Sequence, residues 1–198
     1  MNIPVDIDPR AREILDLWFG APGTPDFGQD RKLWWKKKRS FDALLTERFG
    51  ALLEEAQAGG LRDWERTPLG TLALIVLLDQ FSRNCHRNTP RAFAGDARAL
   101  ALAKALIAKG DDLRLPSAYH RAFAYMPFEH DEAIESQREA LRLFGTLSDE
   151  TGVSSFHESA LKHAEVIERF GRFPHRNRIL GRATLPEEEA WLAEHGGF

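Results

Sequence analysis

The sequence predicts an all-α fold, and three observations carry that prediction. From Phe41 to Ala56 apolar residues recur at three and four, the spacing of one buried helical stripe. The stretch Leu69-Gly-Thr-Leu-Ala-Leu-Ile-Val-Leu-Leu-Asp79-Gln-Phe-Ser82 is apolar on every side, so it has no face to give water and reads as a helix surrounded by others. No segment shows the alternation of a half-buried strand. The expected architecture is one domain over residues 1–198, built of antiparallel helical hairpins around a buried central helix at about 68–82.

Asp8 before Pro9 marks the first helix start. The carboxylate accepts orphan amide protons, and proline takes the first helical position, where its missing N–H costs nothing. Gly20 ends this helix, with Ile14, Leu15, Leu17, Trp18 and Phe19 on its buried side. Residues 21–29 hold two prolines and two glycines and form a loop. Trp34-Trp35 then opens a helical region that ends at Gly59-Gly60, and both tryptophans read as core. Its inward stripe is Phe41, Leu44, Leu45, Phe49, Leu52, Leu53 and Ala56.

Thr67-Pro68 and Thr89-Pro90 repeat the cap-then-proline signature and open the central helix and its successor, which runs to about Lys109 and stops at Gly110. In that successor Phe93, Ala97, Leu100, Ala103 and Ile107 form the expected stripe. Asp96 falls inside it and requires a partner. Residues 111–130 read as irregular or short-helical. A helix follows from about Asp131 to Phe144, with Ala133, Ile134, Ala140, Leu141 and Phe144 inward and Gln137 at the centre of that face. Ser155-x-x-Glu158 is a capping box for the next helix, whose inward side is Phe156, Ala160, Ala164, Ile167 and Phe170, with His163 at its middle. Thr184-x-x-Glu187 with Pro186 starts a last short helix carrying Trp191 and Leu192.

Composition sets the function classes. With 43% hydrophobic and 29% charged residues the chain is an ordinary soluble globular protein, and its net charge of -3 gives no global attraction to nucleic acid. The run Lys36-Lys37-Lys38-Arg39 reads as a solvated helix face, so no nucleic-acid partner is expected. A single cysteine excludes an intrachain disulfide and fits a reducing cytoplasm. The N-terminus Met1-Asn-Ile-Pro-Val-Asp lacks the layout of a signal peptide, and the central helix is too short to span a bilayer. A cytoplasmic protein without a membrane partner is the expectation.

Chemistry concentrates at two helix ends. The central helix delivers Asp79-Gln-Phe-Ser-Arg83-Asn84-Cys85-His86-Arg87-Asn88, and the helix from Ser155 delivers Glu168-Arg-Phe-Gly-Arg172-Phe-Pro-His175-Arg176-Asn177. Acid, Phe, Arg, His, Arg and Asn recur in the same order. Each copy offers guanidinium forks, an imidazole and a carboxamide, a donor set suited to carboxylate or phosphate. The same groups also suit the capping of carbonyls at their own helix ends, so both readings stay open. The inward polar residues Asp79, Asp96, Gln137 and His163 argue for one shared buried network or polar cavity. The candidate ligand-binding residues are therefore Asp79, Arg83, Asn84, Arg87, Asp96, Gln137, Arg172, Arg176 and Asn177. The candidate general bases are His86, His163 and His175.

Standard catalytic templates are missing. There is no phosphate loop, no Gly-x-Ser-x-Gly elbow and no dinucleotide glycine fingerprint, so no cofactor is expected. His157-Glu158 lacks the second zinc histidine, and His157 and His163 point to different faces of one helix, so no metal is expected. Cys85 lies at a helix C-terminus, which disfavours a thiolate. Glu129-His130 reads as a helix cap, with an acid/base pair as the alternative.

At Leu77-Leu-Asp79-Gln-Phe-Ser-Arg83-Asn, with Thr89-Pro-Arg-Ala-Phe-Ala-Gly-Asp96 beyond it, the chain resembles the bacterial family called domain of unknown function 924. The likeness continues through Met126-Pro-Phe-Glu-His130, Gln137 and Gly171-Arg-Phe-Pro-His175-Arg-Asn177. Ser82 departs from it, because family members usually have proline there. The resemblance implies a compact all-helical fold of tetratricopeptide-like hairpins and brings neither a substrate nor a catalytic residue. The residues themselves show no consensus repeat of about 34 residues. The expected function is binding of an anionic small molecule, or of an acidic or C-terminal peptide, by Arg83, Arg87, Arg172 and Arg176, oriented by Asn84, Asn177 and the histidines. One alternative is a hydrolase or transferase on such an anion, with a histidine as general base. Another is a protein-interaction scaffold whose polar cluster is structural.

Overall fold

The computed structural model describes residues 7–197, and these form helices without a strand, in accord with the all-α expectation. Contacts group the chain into two compact units. One reaches to Arg87 and resumes over Arg91–Pro127; the other comprises Asn88–Pro90 and the chain from Phe128 onward.

In the first unit, helix α1 (Pro9–Phe19) starts as its sequence dictates. Asp8 accepts the Arg10 amide at 2.8 Å and the Trp64 indole N–H at 3.0 Å. Its hydrogen bond from the Arg10 side chain leads the effects that hold its pKa down to about 2. The helical region expected from Trp34 is two pieces, α2 (Lys32–Trp35) and α3 (Arg39–Gln57). The basic run therefore lies in the connection and the first residue of α3, not on a helix face.

The central helix begins at α4 (Pro68–Ile75), capped by the Thr67 hydroxyl accepting from the Gly70 amide at 3.1 Å. It passes through a π-helical turn at Val76–Phe81 and ends as α5 (Ser82–Cys85). Every residue from Leu69 to Asp79 is buried, as an all-round apolar helix requires. A π turn inserts one residue into the ladder, and sequence periodicity does not register it.

The helix expected from Pro90 is divided. A 3-10 turn covers Pro90–Phe93, and α6 (Asp96–Ala108) follows. Gly95 marks the break: a Cβ there would meet the Leu78 carbonyl oxygen at 2.5 Å, so the chain lies directly on the central helix. Asp96 is consequently the first residue of α6, not a member of a mid-helix stripe. The buried side of α6 is Ala99, Leu102, Ala103 and Leu106, while Ala97 is exposed. The expected stripe of Phe93, Ala97, Leu100, Ala103 and Ile107 is thus out of phase, because alanine recurs on several faces of this helix and does not fix which one is inward. The stretch read as irregular or short-helical contains a 3-10 turn at Asp111–Arg114 and α7 (Ala118–His130), with Pro127 in its last turn.

The second unit holds α8 (Ile134–Thr151), α9 (Ser155–Phe170) and α10 (Pro186–His195). Helices α8 and α9 form a hairpin through Gly152. The capping box predicted at Ser155 does not form: Ser154 is the N-cap of α9, no side chain caps the helix amides, and the Ser154 hydroxyl donates to Glu158 at 2.7 Å instead. Val166, Ile167 and Phe173 form a core against which Ile134, Phe170 and Trp191 pack. No helix is long and apolar enough to cross a membrane among the described residues.

Candidate functional site

The two echoed segments are charge clamps. In the first unit the Arg83 guanidinium grips Asp96 with two bonds of 2.8 and 2.9 Å and reaches Asp79 Oδ1 at 3.0 Å. Asp79 is buried in the π turn and also accepts from Gln80 at 2.6 Å. Burial would lower the pKa of Arg83, but the field of Asp79 and Asp96 outweighs it and the pKa is raised. Asn84 and Arg87 both converge on Asp42, in the first turn of α3, with bonds of 2.7, 3.0 and 2.9 Å. Burial pushes the Asp42 pKa up, yet the bonds from Arg87 and Asn84 hold it below the ordinary carboxylate range.

In the second unit Arg172 grips Glu188 at 2.7 and 2.9 Å. Glu188 Oε2 also accepts from Asn177 at 3.0 Å and from the Leu185 amide at 2.7 Å, so it caps α10. The Arg172 bond is the main cause that lowers the Glu188 pKa. Arg182 binds Glu132 through two bonds of 2.6 and 3.0 Å. Arg176 is buried with its guanidinium 4.5 Å from the Phe173 ring centre.

Gln137 sends its amide N–H groups to the carbonyls of Glu129 and Asp131 at 2.8 and 2.6 Å, closing the C-terminus of α7. His163 Nδ1 lies 3.0 Å from Glu129 Oε1 and 3.0 Å from the Ser159 carbonyl. Burial raises the Glu129 pKa, but His163 outweighs it and the carboxyl stays below its ordinary range. His86 is half-buried, and burial, aided by Arg91, lowers its pKa. His175 is half-buried with its ring 5.7 Å from that of Phe173.

Sequence reasoning missed the acids that receive these cations: Asp42, Glu132 and Glu188. A signal existed. Asp42, Asp96 and Glu188 all occupy first turns of helices, where the dipole favours an anion. Arg83 and Arg172 are thus each matched to a carboxylate at the start of a later helix, and Arg87 to one at the start of an earlier helix.

A different group of cations stands apart. Between α2 and α3 lies an open groove with room for about 410 Å³ of solvent, lined by Lys32, Leu33, Lys36, Lys38, Ser40, Phe41 and Leu44. Its apolar floor comes from half-buried residues of the stripe that was expected to be core. The short α2 is anchored by Trp34, whose indole N–H donates to the Trp18 carbonyl at 2.9 Å. Trp35, also expected in the core, is 53% exposed. No carboxylate pairs with Lys32, Lys36 or Lys38 among the described residues.

His120 was not singled out by sequence. It is 2% exposed, shares a 2.8 Å hydrogen bond between Nδ1 and Ser117 Oγ, and stacks on Phe19 with ring centres 4.1 Å apart. Burial lowers its pKa to about 4. The ring lines a cleft with Arg12 and Asp16 whose free space is about 10 Å³, the room of one water. No three His, Cys, Asp or Glu side chains gather as a metal-ligand set among the described residues.

The profile of a bacterial protein family of unknown function, DUF924, matches residues 14–196. A solved structure of a protein of unknown function from Agrobacterium tumefaciens is similar, with a TM-score of 0.81 and 38% sequence identity, covering 93% of this chain and 97% of that one. No curated protein matches.

Proposed function

The chain belongs to the bacterial family of unknown function DUF924, and from its own geometry we propose that it binds an anionic small molecule at the lysine-rimmed groove between α2 and α3. One observation carries the reading. Lys32, Lys36 and Lys38 line a groove with an apolar floor and, among the described residues, have no carboxylate to neutralise them, whereas Arg83, Arg87 and Arg172 each hold a carboxylate of their own unit. An incoming anion at those arginines would have to displace a partner already in place; at the lysines it meets only water. In this reading Asp79, Arg83, Asn84, Arg87, Asp96, Arg172 and Asn177 hold helices together, and Gln137 caps one. The groove volume lies within the roughly 300–1,000 Å³ of small-molecule sites, which favours a small ligand over a peptide.

The fluorescent anion 1-anilinonaphthalene-8-sulfonate tests this. It should bind the native protein saturably and more weakly at high salt, and the double variant Lys36→Glu/Lys38→Glu should bind it at least about tenfold more weakly. Equal binding by the variant would refute the site.

The Glu129–His163 contact favours a second reading, an enzyme with His163 as general base oriented by a carboxylate. Hydrolysis of p-nitrophenyl phosphates or esters by the wild type, lost in a folded His163→Gln variant, would support it. The same turnover in both would remove His163 from the role.

A further inference from the structure

We infer that the ligand of this groove is a straight-chain alkyl carboxylate, its head among the lysines and its chain along Leu33, Phe41 and Leu44; the inference rests on the anion reading above and specifies its chemistry. The groove joins two properties that a simple inorganic anion would not need together. The first is charge. Lys32 and Lys36 lie one helical turn apart, and Lys38 occupies the position before α3.

The second property is an apolar floor left open. Phe41 and Leu44 belong to the inward stripe of α3, yet they are half-buried, while Leu45, Phe49, Leu53 and Ala56 on the same helix are buried. At the start of α3 the stripe loses part of its cover along the groove, and Leu52 further on is half-buried as well. A carboxylate with a hydrocarbon tail satisfies both halves: the head replaces water around the ammonium groups, and the tail removes apolar surface from water. Trp34 and Trp35 lie on α2 between the lining residues Leu33 and Lys36 in sequence, so their emission is a signal to follow on occupancy.

The test is displacement of 1-anilinonaphthalene-8-sulfonate, with tryptophan emission recorded in parallel, by acetate, octanoate, decanoate and dodecanoate below their micelle concentrations, and by dodecanol. The inference predicts affinity rising with chain length, by up to about fourfold per methylene. Dodecanol should bind at least about tenfold more weakly than dodecanoate. Leu44→Asp should flatten the chain-length series, and Lys36→Glu/Lys38→Glu should weaken every acid by a similar factor. A flat series in which acetate competes as well as dodecanoate overturns the alkyl inference and leaves the anion site standing. Dodecanol binding as tightly as dodecanoate overturns both, as does an absence of displacement by any acid.

Discussion

Segments 79–87 and 168–176 share an order of acid, Phe, Arg, His and Arg, and in each the arginine that follows the Phe, Arg83 or Arg172, holds a carboxylate at the start of a later helix. Their difference lies in one residue after the shared Phe. Ser82 lets the helix continue as α5, so Arg83 remains helical and reaches back to Asp79 one turn earlier. Gly171 instead adopts φ +69° and stops α9, so Arg172 leaves the helix and Glu168 stays exposed. The same motif therefore makes a three-residue charge cluster around the buried Asp79 in one unit and a two-residue clamp on the buried Glu188 in the other. The stopping residue, not the arginine, decides which.

The largest test of that comparison is removal of each arginine. Arg83→Ala removes the cation shared by the buried Asp79 and by Asp96 and should cost about 3–5 kcal/mol, a fall of roughly 6–20 °C in melting temperature. Arg172→Ala should lower it less, because Glu188 keeps Asn177 and the Leu185 amide. Equal falls would break the contrast.

Acid titration should separate the two units next. His120 is neutral in the fold with a pKa of about 4, below the ordinary 6.5, so the unfolded chain takes up its proton first. Its contribution is complete above pH 6.5 and is lost as pH falls toward 4, up to about 3 kcal/mol. Glu132 and Glu188 in the second unit have lowered pKa values, so their contribution is lost only as pH falls below the ordinary 4.5. In a Trp191→Phe variant, which reports on the first unit's tryptophans, unfolding by denaturant should ease between pH 6.5 and 4, and His120→Gln should flatten that slope. A slope unchanged in His120→Gln assigns it elsewhere.

Smaller effects sharpen the contrast further. Asp79→Asn should cost about 2 kcal/mol by weakening a buried bond to a charged partner. Glu168→Gln should stay within about 0.5 kcal/mol. Chemical denaturation of the pair checks both. Gly171→Ala should cost about 1 kcal/mol, since alanine resists the left-handed conformation. A neutral result would mean that α9 can end without it.

Much of the fold was legible because it rests on local physics. Asp8-Pro9 and Thr67-Pro68 cap helices where expected, and the all-round apolar stretch is the buried helix. What was not legible depends on contacts across the chain. The Gly95 break follows from a backbone lying on Leu78, which no local pattern encodes. Helix α7 was hidden by Pro127, yet proline near the end of a helix removes only one late hydrogen bond. Asp96 was read as needing a partner, and Arg83 is that partner, but Asp42, Glu132 and Glu188, which receive the other cations, lie outside the echoed segments. The groove was missed for another reason: Phe41 and Leu44 carry the same periodicity whether a neighbour covers them or not.

The claim that ties these points together is that the arginine segments stabilise the fold while the lysine groove binds. It is tested most directly by the ligand-induced shift in melting temperature, measured with dodecanoate in wild type, Arg172→Ala and Lys36→Glu/Lys38→Glu. The account predicts that Arg172→Ala melts lower but keeps the full shift, and that the lysine variant melts near wild type and loses it. A shift lost in Arg172→Ala and kept in the lysine variant would place the ligand at the arginines and contradict the account.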